Sequence, residues 1–339
     1  MKLHSKFSLV GVALGALAAC SDSDTVTPGI TINPEEPGIT ISPEEEALRV
    51  MAVQDDGNTI DAGGAIAGGE VLTARSVSVA AQSVFYGDGE TFPIDATVQV
   101  ERNPATGEVT LTLNGEPYDF TTADRSGFEG TVFGYDVSDR ENDKFVAMWN
   151  WTGPLDDLLA SGSGFAEAIE AQSNLVPGGP NVRVFAVVGA ETADADLSGL
   201  PTATYDGSST ILFTPNEGFD GSEDETQLRS RLTMTADFGA GTVSGNLSEL
   251  KFRDGRGERR NAAGKILLNT AEFGVNGFEG TISPDATYAT NGELSINSGS
   301  YSGAFYGPVA NEIGGVISAA GDRGAEPVNG IGFFHGEQN

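Results

Sequence analysis

The stretch GSYSGAFYGPVANEIGG, residues 299–315, decides the fold. It holds five glycines, three aromatic residues and one proline within seventeen positions. Side chains alternate between the two faces of a β-strand, so Tyr301, Gly303 and Phe305 share one face. Large rings beside a glycine suit the inner wall of a small closed barrel, because the rings fill the interior and the missing side chain lets the strand bend. The Gly-Pro pair at 307–308 should end the strand, since proline cannot donate a hydrogen bond to the ladder.

The sequence around this stretch predicts more short strands joined by turns. In RLTMTADF every second residue is apolar, a glycine-containing turn follows, and TVSGNLSEL returns with its own alternation. Further strands are predicted in the runs ATYDGSSTILF, KILLNTAEF, GFEGTISP, NGELSINS, EIGGVISA and NGIGFFHG. About eight strands result, and they do not alternate with helices, so an up-and-down antiparallel barrel is favoured over a parallel sheet.

A second β-rich region precedes the barrel, between residues 70 and 200. Val98 and Val100 share one face of a predicted strand, and turn residues at 103–107 separate it from the alternating run EVTLTL, which indicates a hairpin. PLDDLLASGSGFAEAIEAQ, residues 154–172, breaks the alternation and predicts one or two short helices. The expected fold is therefore mainly β: a β-rich, handle-like domain with a short helical segment, followed by an eight-stranded antiparallel up-and-down barrel.

The first twenty residues, MKLHSKFSLVGVALGALAAC, have the plan of a secretory signal. A short basic head precedes an apolar core. This core is too short for a membrane-spanning helix, which needs about 20 residues. The ending Leu17–Cys20 resembles the bacterial lipobox, in which the cysteine is acylated and becomes the first residue of the mature protein. An ordinary signal peptide with a chance cysteine is the alternative. Because Cys20 is the only cysteine, a disulfide within one chain is excluded.

A polar, proline-rich spacer follows the cysteine. The unit PGITINPEE is followed directly by PGITISPEE, and its prolines and mutually repelling glutamates favour an extended, solvated chain. The whole sequence carries 49 acidic and 18 basic residues, a formal net charge of −31. Such a surface repels nucleic acid and gains nothing from anionic lipid heads, so no nucleic-acid partner is expected.

Part of the opening stretch also resembles a family signature. Residues 305–315, FYGPVANEIGG, are similar to the F-Y-G-P-x-A-x-E-x-G-G pattern of the transferrin-binding protein B-like β-barrel lipoproteins, whose relatives include haemoglobin- and factor H-binding surface lipoproteins. The matching positions are Phe305, Tyr306, Gly307, Pro308, Ala310, Glu312, Gly314 and Gly315. LTMTADFGAGTVSGNL and GFEGTI are similar to further pieces of such barrels. The resemblance covers about residues 185–339 by motif, and the region before them, by position alone, as the family's handle domain.

This resemblance implies an outer-membrane lipoprotein, tethered through its acylated cysteine and facing the cell exterior. It predicts four segments: a signal peptide at 1–19, the lipidated cysteine and a flexible tether at 20–48, a handle-like domain at 49–195 and the barrel at 196–339. The chain has the length of one lobe, whereas the large transferrin-binding members have two. Since no counterpart of their transferrin-contacting loops is found, the predicted partner is an unidentified solute or protein ligand rather than transferrin.

Trp149 and Trp151, in FVAMWNWTG, are the candidate ligand-binding residues. On one strand both side chains point to the same side, either into the core or onto a shared binding face. The basic run at 251–260, KFRDGRGERR, is unusual in so acidic a chain and predicts a polar hairpin loop. Acidic clusters at 55–61 and 220–225 offer oxygen ligands for Ca²⁺, but neither has the spacing of an EF-hand loop, so exposed loops are predicted there.

Few residues point to catalysis. The two histidines are His4 in the signal and His335 near the C-terminus, which argues against a Ser-His-Asp arrangement or a multi-histidine metal site. His335 is expected to be a surface or capping residue. We therefore predict a non-catalytic binding protein without a metal, a cofactor or a transmembrane helix in its mature form. The alternatives are a structural or adhesive envelope lipoprotein without a small-molecule ligand, and a hydrolase that uses paired carboxylates.

Overall fold

The structure is a computed structural model, and it describes most of the chain beyond residue 71. The described ranges are 72–84, 87–90, 92–103, 105–127, 133–139, 144–153, 164–174, 181–219, 225–254, 257–273, 276–288 and 294–339. All of them belong to one unit of the chain. Cys20, the tether and the acidic cluster at 55–61 lie outside these ranges, as do residues 220–224.

The described residues form two large antiparallel sheets and one small one. The first part of the chain contributes β1 (Leu72–Val84), β2 (Gly87–Glu90), β3 (Phe92–Ile94), β4 (Val98–Asn103), β5 (Glu108–Leu113), β6 (Glu116–Phe120), β7 (Arg125–Gly127), β8 (Phe133–Asp139), β9 (Lys144–Asn150), β10 (Ala166–Asn174) and β11 (Asn181–Gly189). The second contributes β12 (Ala203–Pro215), β13 (Glu217–Phe219), β14 (Thr226–Asp237), β15 (Thr242–Asp254), β16 (Arg259–Asn261), β17 (Ile266–Glu272), β18 (Phe278–Pro284), β19 (Ser295–Tyr306), β20 (Glu312–Arg323) and β21 (Glu326–Gln338). Within the described ranges, helix is confined to a 3-10 turn at Thr122–Asp124 and the short helix α1 at Asp194–Leu197. Neither is long enough and apolar enough to span a membrane.

Ten strands of the first part, β1 and β3–β11, form what we call the N-terminal sheet, in the order β6-β5-β4-β1-β11-β10-β9-β8-β7 with β3 beside β1. The predicted hairpin is confirmed as β4 and β5, with Val98 opposite Leu113 and Val100 opposite Leu111. Gly107 adopts the left-handed φ of +71° that its turn requires. One face of the sheet surrounds an apolar core to which β4, β5, β9, β10 and β11 all contribute.

Eight long strands of the second part close into a barrel. Their order is β14-β12-β21-β20-β19-β18-β17-β15, with the short β16 on β15, and a pairing of β14 with β15 completes the ring. Every neighbouring pair is antiparallel. Each of the eight strands pairs with the barrel strand that follows it in sequence, and the last, β21, pairs with the first, β12, so the predicted up-and-down topology is confirmed.

The barrel interior is filled by its own side chains. The largest of them are at most 1% exposed: Tyr205, Phe213, Tyr301, Phe305 and Phe334. The ring of Phe305 lies 5.1 Å from those of Phe238 and Phe273 and 5.4 Å from that of Phe278. The interior is therefore a packed core that leaves no room for a ligand.

The opening stretch behaves as its alternation predicts. Tyr301 and Phe305 point into the barrel on β19, and β19 ends at Tyr306, before the Gly-Pro pair at 307–308. A β-carbon on Gly303 would lie 2.9 Å from the rings of Phe278 and Phe334, so the glycine leaves the space that two inward rings occupy.

The outer wall of the barrel packs against the N-terminal sheet. Apolar side chains of β1, β10 and β11 meet those of β12, β19, β20 and β21 in one buried cluster. The rings of Phe185 and Phe333, one from each side, are 6.0 Å apart. Because both faces of β10 and β11 are covered, nearly every residue of these two strands is buried.

The predicted helix over 154–172 is wrong where it can be checked, because Ala166–Asn174 is the strand β10. Residues 154–163 lie outside the described ranges. Alanine and glutamate favour a helix, but Ala166 and Ala168 face the barrel while Ile169 and Ala171 face the core of the N-terminal sheet. Burial on both sides of a strand outweighs this weak local preference.

Candidate functional site

A cleft of about 750 Å³ opens on the outer wall of the barrel. Its walls come from β12, β14, β15 and β16, and they are mostly polar or charged. The lining residues are Asp206, Gly207, Gln227, Arg229, Ser230, Arg231, Glu249, Lys251, Phe252, Arg253, Arg259 and Asn261. We call this feature the basic cleft, because five of its residues are arginine or lysine.

Strand pairing brings these cations together. On β14 and β15, Arg229 lies opposite Lys251, and on β15 and β16, Arg253 lies opposite Arg259. Alternation sends these side chains outward while Leu228 and Leu250 point inward. The cations therefore share the outer face of three neighbouring strands.

A β-bulge shapes the floor of the basic cleft. The register of β14 and β15 shifts between Arg229 and Arg231, and Glu249, in the bulged part of β15, has a left-handed φ of +52°. A bulge re-aims the side chains around it and bends the strand. Here it directs Arg231 towards two carboxylates, with Asp206 at 3.4 Å and Glu249 at 3.9 Å.

The other four cations have no such partner. Within the described ranges no carboxylate lies within ion-pair distance of Arg229, Lys251, Arg253 or Arg259. The pKa of Arg229 is lowered from its usual value, first by partial burial and then by the charges of Arg253 and Arg259. Among the residues that the structure describes, the basic cleft therefore concentrates positive charge without paired carboxylates at these four cations.

Trp151 lies beside this cleft. The guanidinium of Arg229 sits 5.6 Å from the centre of the indole ring, a cation–π contact, and the ring of Phe333 packs 5.7 Å from the same indole. Trp151 follows the last residue of β9, and its backbone N–H donates to the carbonyl of Ala168. Trp149, on β9 opposite Glu170, is half-buried. A ligand role for Trp149 and Trp151 stays a prediction, but the structure places Trp151 next to a residue that lines the cleft.

Buried charges also cross the junction between the N-terminal sheet and the barrel. Arg183 on β11 contacts Glu170 at 3.4 Å and Glu225, which precedes β14, at 2.5 Å. The pKa of Glu170 is raised, because burial outweighs the opposing effects of the Arg183 charge and of the hydrogen bond from Gln172. Glu225 belongs to the acidic cluster considered for Ca²⁺, and its carboxylate is engaged by Arg183.

The signature residues lie at the same junction. Tyr306 is on the outer face of β19, fully buried, and its hydroxyl donates to the Val187 carbonyl at 3.4 Å. Burial is the main cause that raises the pKa of Tyr306 well above its ordinary value. A β-carbon on Gly314 would come 2.9 Å from a methyl of Val187, so the missing side chain lets the two layers approach.

Glu312 of the signature holds the N-terminal sheet to the barrel through hydrogen bonds. Its carboxylate accepts the backbone N–H groups of Phe165 at 2.9 Å and Ala166 at 3.1 Å, where β10 begins. His335 lies beside it, with Nε2 2.9 Å from the carboxylate. His335, expected as a surface or capping residue, is partly buried, with its side chain 13% exposed.

The Gly-Pro turn after β19 is fastened in the same way. Thr192 donates from its hydroxyl to the Gly307 carbonyl at 2.6 Å, and the Gly307 N–H donates to the Ala190 carbonyl at 2.8 Å. Ala310 adopts a left-handed φ of +56°, and its carbonyl accepts the Tyr205 hydroxyl at 2.8 Å. The signature thus joins the barrel to the N-terminal sheet and to residues 190–192, which follow β11.

The basic run predicted as a hairpin loop supplies the strand end of β15 and the edge strand β16. Its cations diverge: Arg259 lines the basic cleft, while Arg260 pairs with Glu258 and lines a separate 350 Å³ cleft. The unusual charge of the run was a usable signal for a site. No such signal in the sequence marks Arg229 and Arg231, because they come from another strand, about twenty residues earlier.

Residues 200–335 match the model of a family described as the C-lobe and N-lobe beta barrels of Tf-binding protein B. Three of the similar solved structures are intact Ap-TbpB with its N and C lobes (13% identity over 80% of this chain and 78% of that chain, TM-score 0.38), transferrin-binding protein B from Haemophilus parasuis (14%, 80% and 76%, 0.36) and HpuA from Kingella denitrificans in complex with human haemoglobin (15%, 81% and 90%, 0.35). No curated protein sequence matches.

A closed, self-filled, eight-stranded up-and-down barrel with an antiparallel sheet on its outer wall defines the class of this protein. Within that class, residues 200–335 are similar to the barrels of the transferrin-binding protein B family.

Proposed function

We propose that this protein is an outer-membrane lipoprotein that binds a solute or a protein ligand, without catalysis, through surfaces outside its barrel. The observation that carries the proposal is the match of residues 200–335 to barrels named after transferrin-binding protein B. The name of that family refers to the binding of another protein, and we extend the binding role, without the partner, to this chain.

The packing of the barrel supports a site on its outside. Its interior is occupied by aromatic and aliphatic side chains, so it offers no room for a ligand. The basic cleft, by contrast, has about 750 Å³ within reach of solvent. This volume falls in the range of small-molecule sites, about 300–1,000 Å³.

The proposed attachment rests on the sequence. We infer that residues 1–19 are removed, that Cys20 is acylated, and that residues 20–48 tether a handle-like domain (49–195) and a barrel domain (196–339) to the outer membrane. A Pro- and Glu-rich tether of this kind is extended, about 3.1 Å per residue, and lets a folded domain stand clear of the lipid surface. We further propose that the domain faces the cell exterior.

Protease treatment and antibody labelling of intact cells test this proposal. In wild-type cells we expect the antibody to label the protein and protease to remove it. With Cys20→Ala both signals should disappear from the cell surface, whereas Ser23→Ala, a change in the same segment that keeps the cysteine, should behave as wild type. Protection of the wild-type protein in intact cells, with membrane attachment retained, would contradict surface display and place the domain in the periplasm.

A further inference from the structure

The basic cleft gathers positive charge in a chain whose formal net charge is −31. Arg229, Lys251, Arg253 and Arg259 come from three neighbouring strands, and all four side chains are exposed. Like charges on facing strand positions repel one another and destabilise a sheet. Folding alone gives no reason to place four cations together, so a ligand of opposite charge is the simplest compensation.

The described part of the chain does not supply that compensation. Asp206 and Glu249, the two carboxylates of the cleft, are both engaged by Arg231. The neighbouring carboxylates Glu225 and Glu258 pair with Arg183 and Arg260, which lie outside the cleft. The four remaining cations are thus free of carboxylate partners within the described ranges, although Arg229 also rests on the Trp151 ring.

The donors suit oxygen anions. A guanidinium presents a planar fork of N–H groups that can bind two oxygens of a carboxylate or phosphate at once, and an ammonium group adds a point charge. Gln227 and Asn261 contribute amide donors on the same lining. With three arginines and a lysine, the cleft can satisfy more than one oxyanion group of a single ligand.

Size and charge together limit the ligand to a small molecule. The cleft holds about 750 Å³. Fields of exposed charges are screened over about 8 Å at physiological ionic strength, so the cleft acts locally while the acidic remainder repels whatever extends beyond it. A long polyanion such as a nucleic acid would meet that repulsion, whereas a compact anion would not.

We propose that the basic cleft binds a small ligand carrying two or more oxyanion groups, either carboxylates or phosphates. This assignment rests on the proposed function, since it names the site and the ligand chemistry of a binding protein. Arg229 on β14 faces the ligand beside Lys251 and Arg253 on β15, and Arg259 on the edge strand β16 lies opposite Arg253.

Calorimetric titration of the purified full chain with citrate and with pyrophosphate tests this proposal. Saturable binding of citrate alone would assign a polycarboxylate ligand, and binding of pyrophosphate alone a phosphorylated one. Arg253→Gln and Arg259→Gln should each lower the affinity for the probe by about tenfold or more, as expected when a charge-assisted hydrogen bond is lost.

Arg260→Gln is the matched control. It removes the same charge from the neighbouring position of β16, but its side chain lines a different cleft. Affinity within about twofold of wild type is expected for this control, since only the long-range charge changes. Equal weakening by Arg259→Gln and Arg260→Gln, or no saturable binding of either probe, would overturn the site.

The two proposals fail separately. Loss of the anion site with surface display intact removes only the ligand assignment, because the protein could still bind a partner elsewhere. Anion binding by a domain that protease cannot reach on intact cells keeps the site and rejects surface display.

Discussion

Gly315 lies where two barrel strands approach closely. It is opposite Gly303, and a β-carbon on it would lie 2.1 Å from the Ser302 carbonyl oxygen and 2.7 Å from the Phe334 ring. Gly315→Ala should therefore lower the free energy of unfolding by about 1–3 kcal/mol, the usual cost of overpacking. Urea unfolding of the two proteins measures this difference.

A turn glycine provides the comparison for that substitution. Gly239 is exposed, and a β-carbon there would meet one side-chain oxygen at 3.4 Å, an ordinary contact. Gly239→Ala should change the free energy of unfolding by less than about 0.5 kcal/mol, as for surface substitutions in general. An equally small change for Gly315→Ala would mean that the strands can separate without cost.

A buried ion pair inside the N-terminal sheet gives a second prediction at this scale. Glu167, fully buried, accepts hydrogen bonds from the Arg102 guanidinium and from the Asn150 amide at 2.7 Å. Arg102→Met or Glu167→Met alone should destabilise the protein by about 3–5 kcal/mol, because each leaves a buried charge without its partner. The double variant should cost clearly less than the two together, and urea unfolding of all four proteins gives the coupling. Additive costs would show that the pair acts as two independent residues.

Such residues mark the limit of sequence analysis. The faces of Tyr301 and Phe305 follow from alternation with period two, which is a local property of the strand. The partnership of Arg102 and Glu167 does not, because it joins β4 to β10 across sixty-five positions. Only the folded sheet, in which β1 and β11 separate β4 from β10, makes the charged residues of these strands meet.

The end of β19 and the start of β20 act as the joint between the two sheets. Glu312 accepts the N–H groups of Phe165 and Ala166, the residues at which β10 begins. Glu312→Gln replaces a charged acceptor by an amide that offers one oxygen, so the start of β10 should open more often. Amide hydrogen exchange at Phe165 and Ala166 should accelerate by about tenfold or more, since a hydrogen bond to a charged group contributes about 1.5–3 kcal/mol.

Glu326→Gln is the control for that measurement. Its carboxylate pairs with Arg323 on the same hairpin, away from β10. Exchange at Phe165 and Ala166 should stay at the wild-type rate in this variant. If Glu312→Gln also leaves it unchanged, apolar packing of the two layers alone holds β10 in place.

At the level of elements, the barrel could be predicted and the cleft could not. Eight alternating runs with short turns predict neighbouring antiparallel strands, since consecutive strands usually pair. The cleft depends on a bulge at Glu249 and on the register that sets Arg229 opposite Lys251. A shift of one residue would turn either side chain into the barrel, and alternation alone does not fix that register.

For the molecule as a whole, composition predicts an acidic surface but does not indicate where a binding site lies. A net charge of −31 keeps an exposed protein soluble and repels nucleic acid, but it gives no hint of a local basic cleft. Net charge sums over the surface, whereas a binding site depends on the few charges within about 8 Å of one another. The cleft becomes visible only when β14, β15 and β16 are placed side by side.

The titration of Glu170, at the junction of the two sheets, should make the stability of the protein depend on pH. Burial raises the pKa of this carboxyl above its ordinary value of 4.5, so the folded protein keeps the proton to a higher pH than the unfolded chain does. Between those two pKa values the unfolded chain has already released its proton, and the contribution of Glu170 to stability therefore falls as the pH rises. Glu170→Gln removes this titration, so its free energy of unfolding relative to wild type should increase from pH 4.5 to pH 7 in urea unfolding experiments. Glu337→Gln, which alters an exposed carboxylate on β21, provides the reference for the general effect of removing one negative charge. A relative stability of Glu170→Gln that instead decreases over this range would mean that the attraction of Arg183 outweighs the cost of burial, and that the junction is held together by an ionised pair.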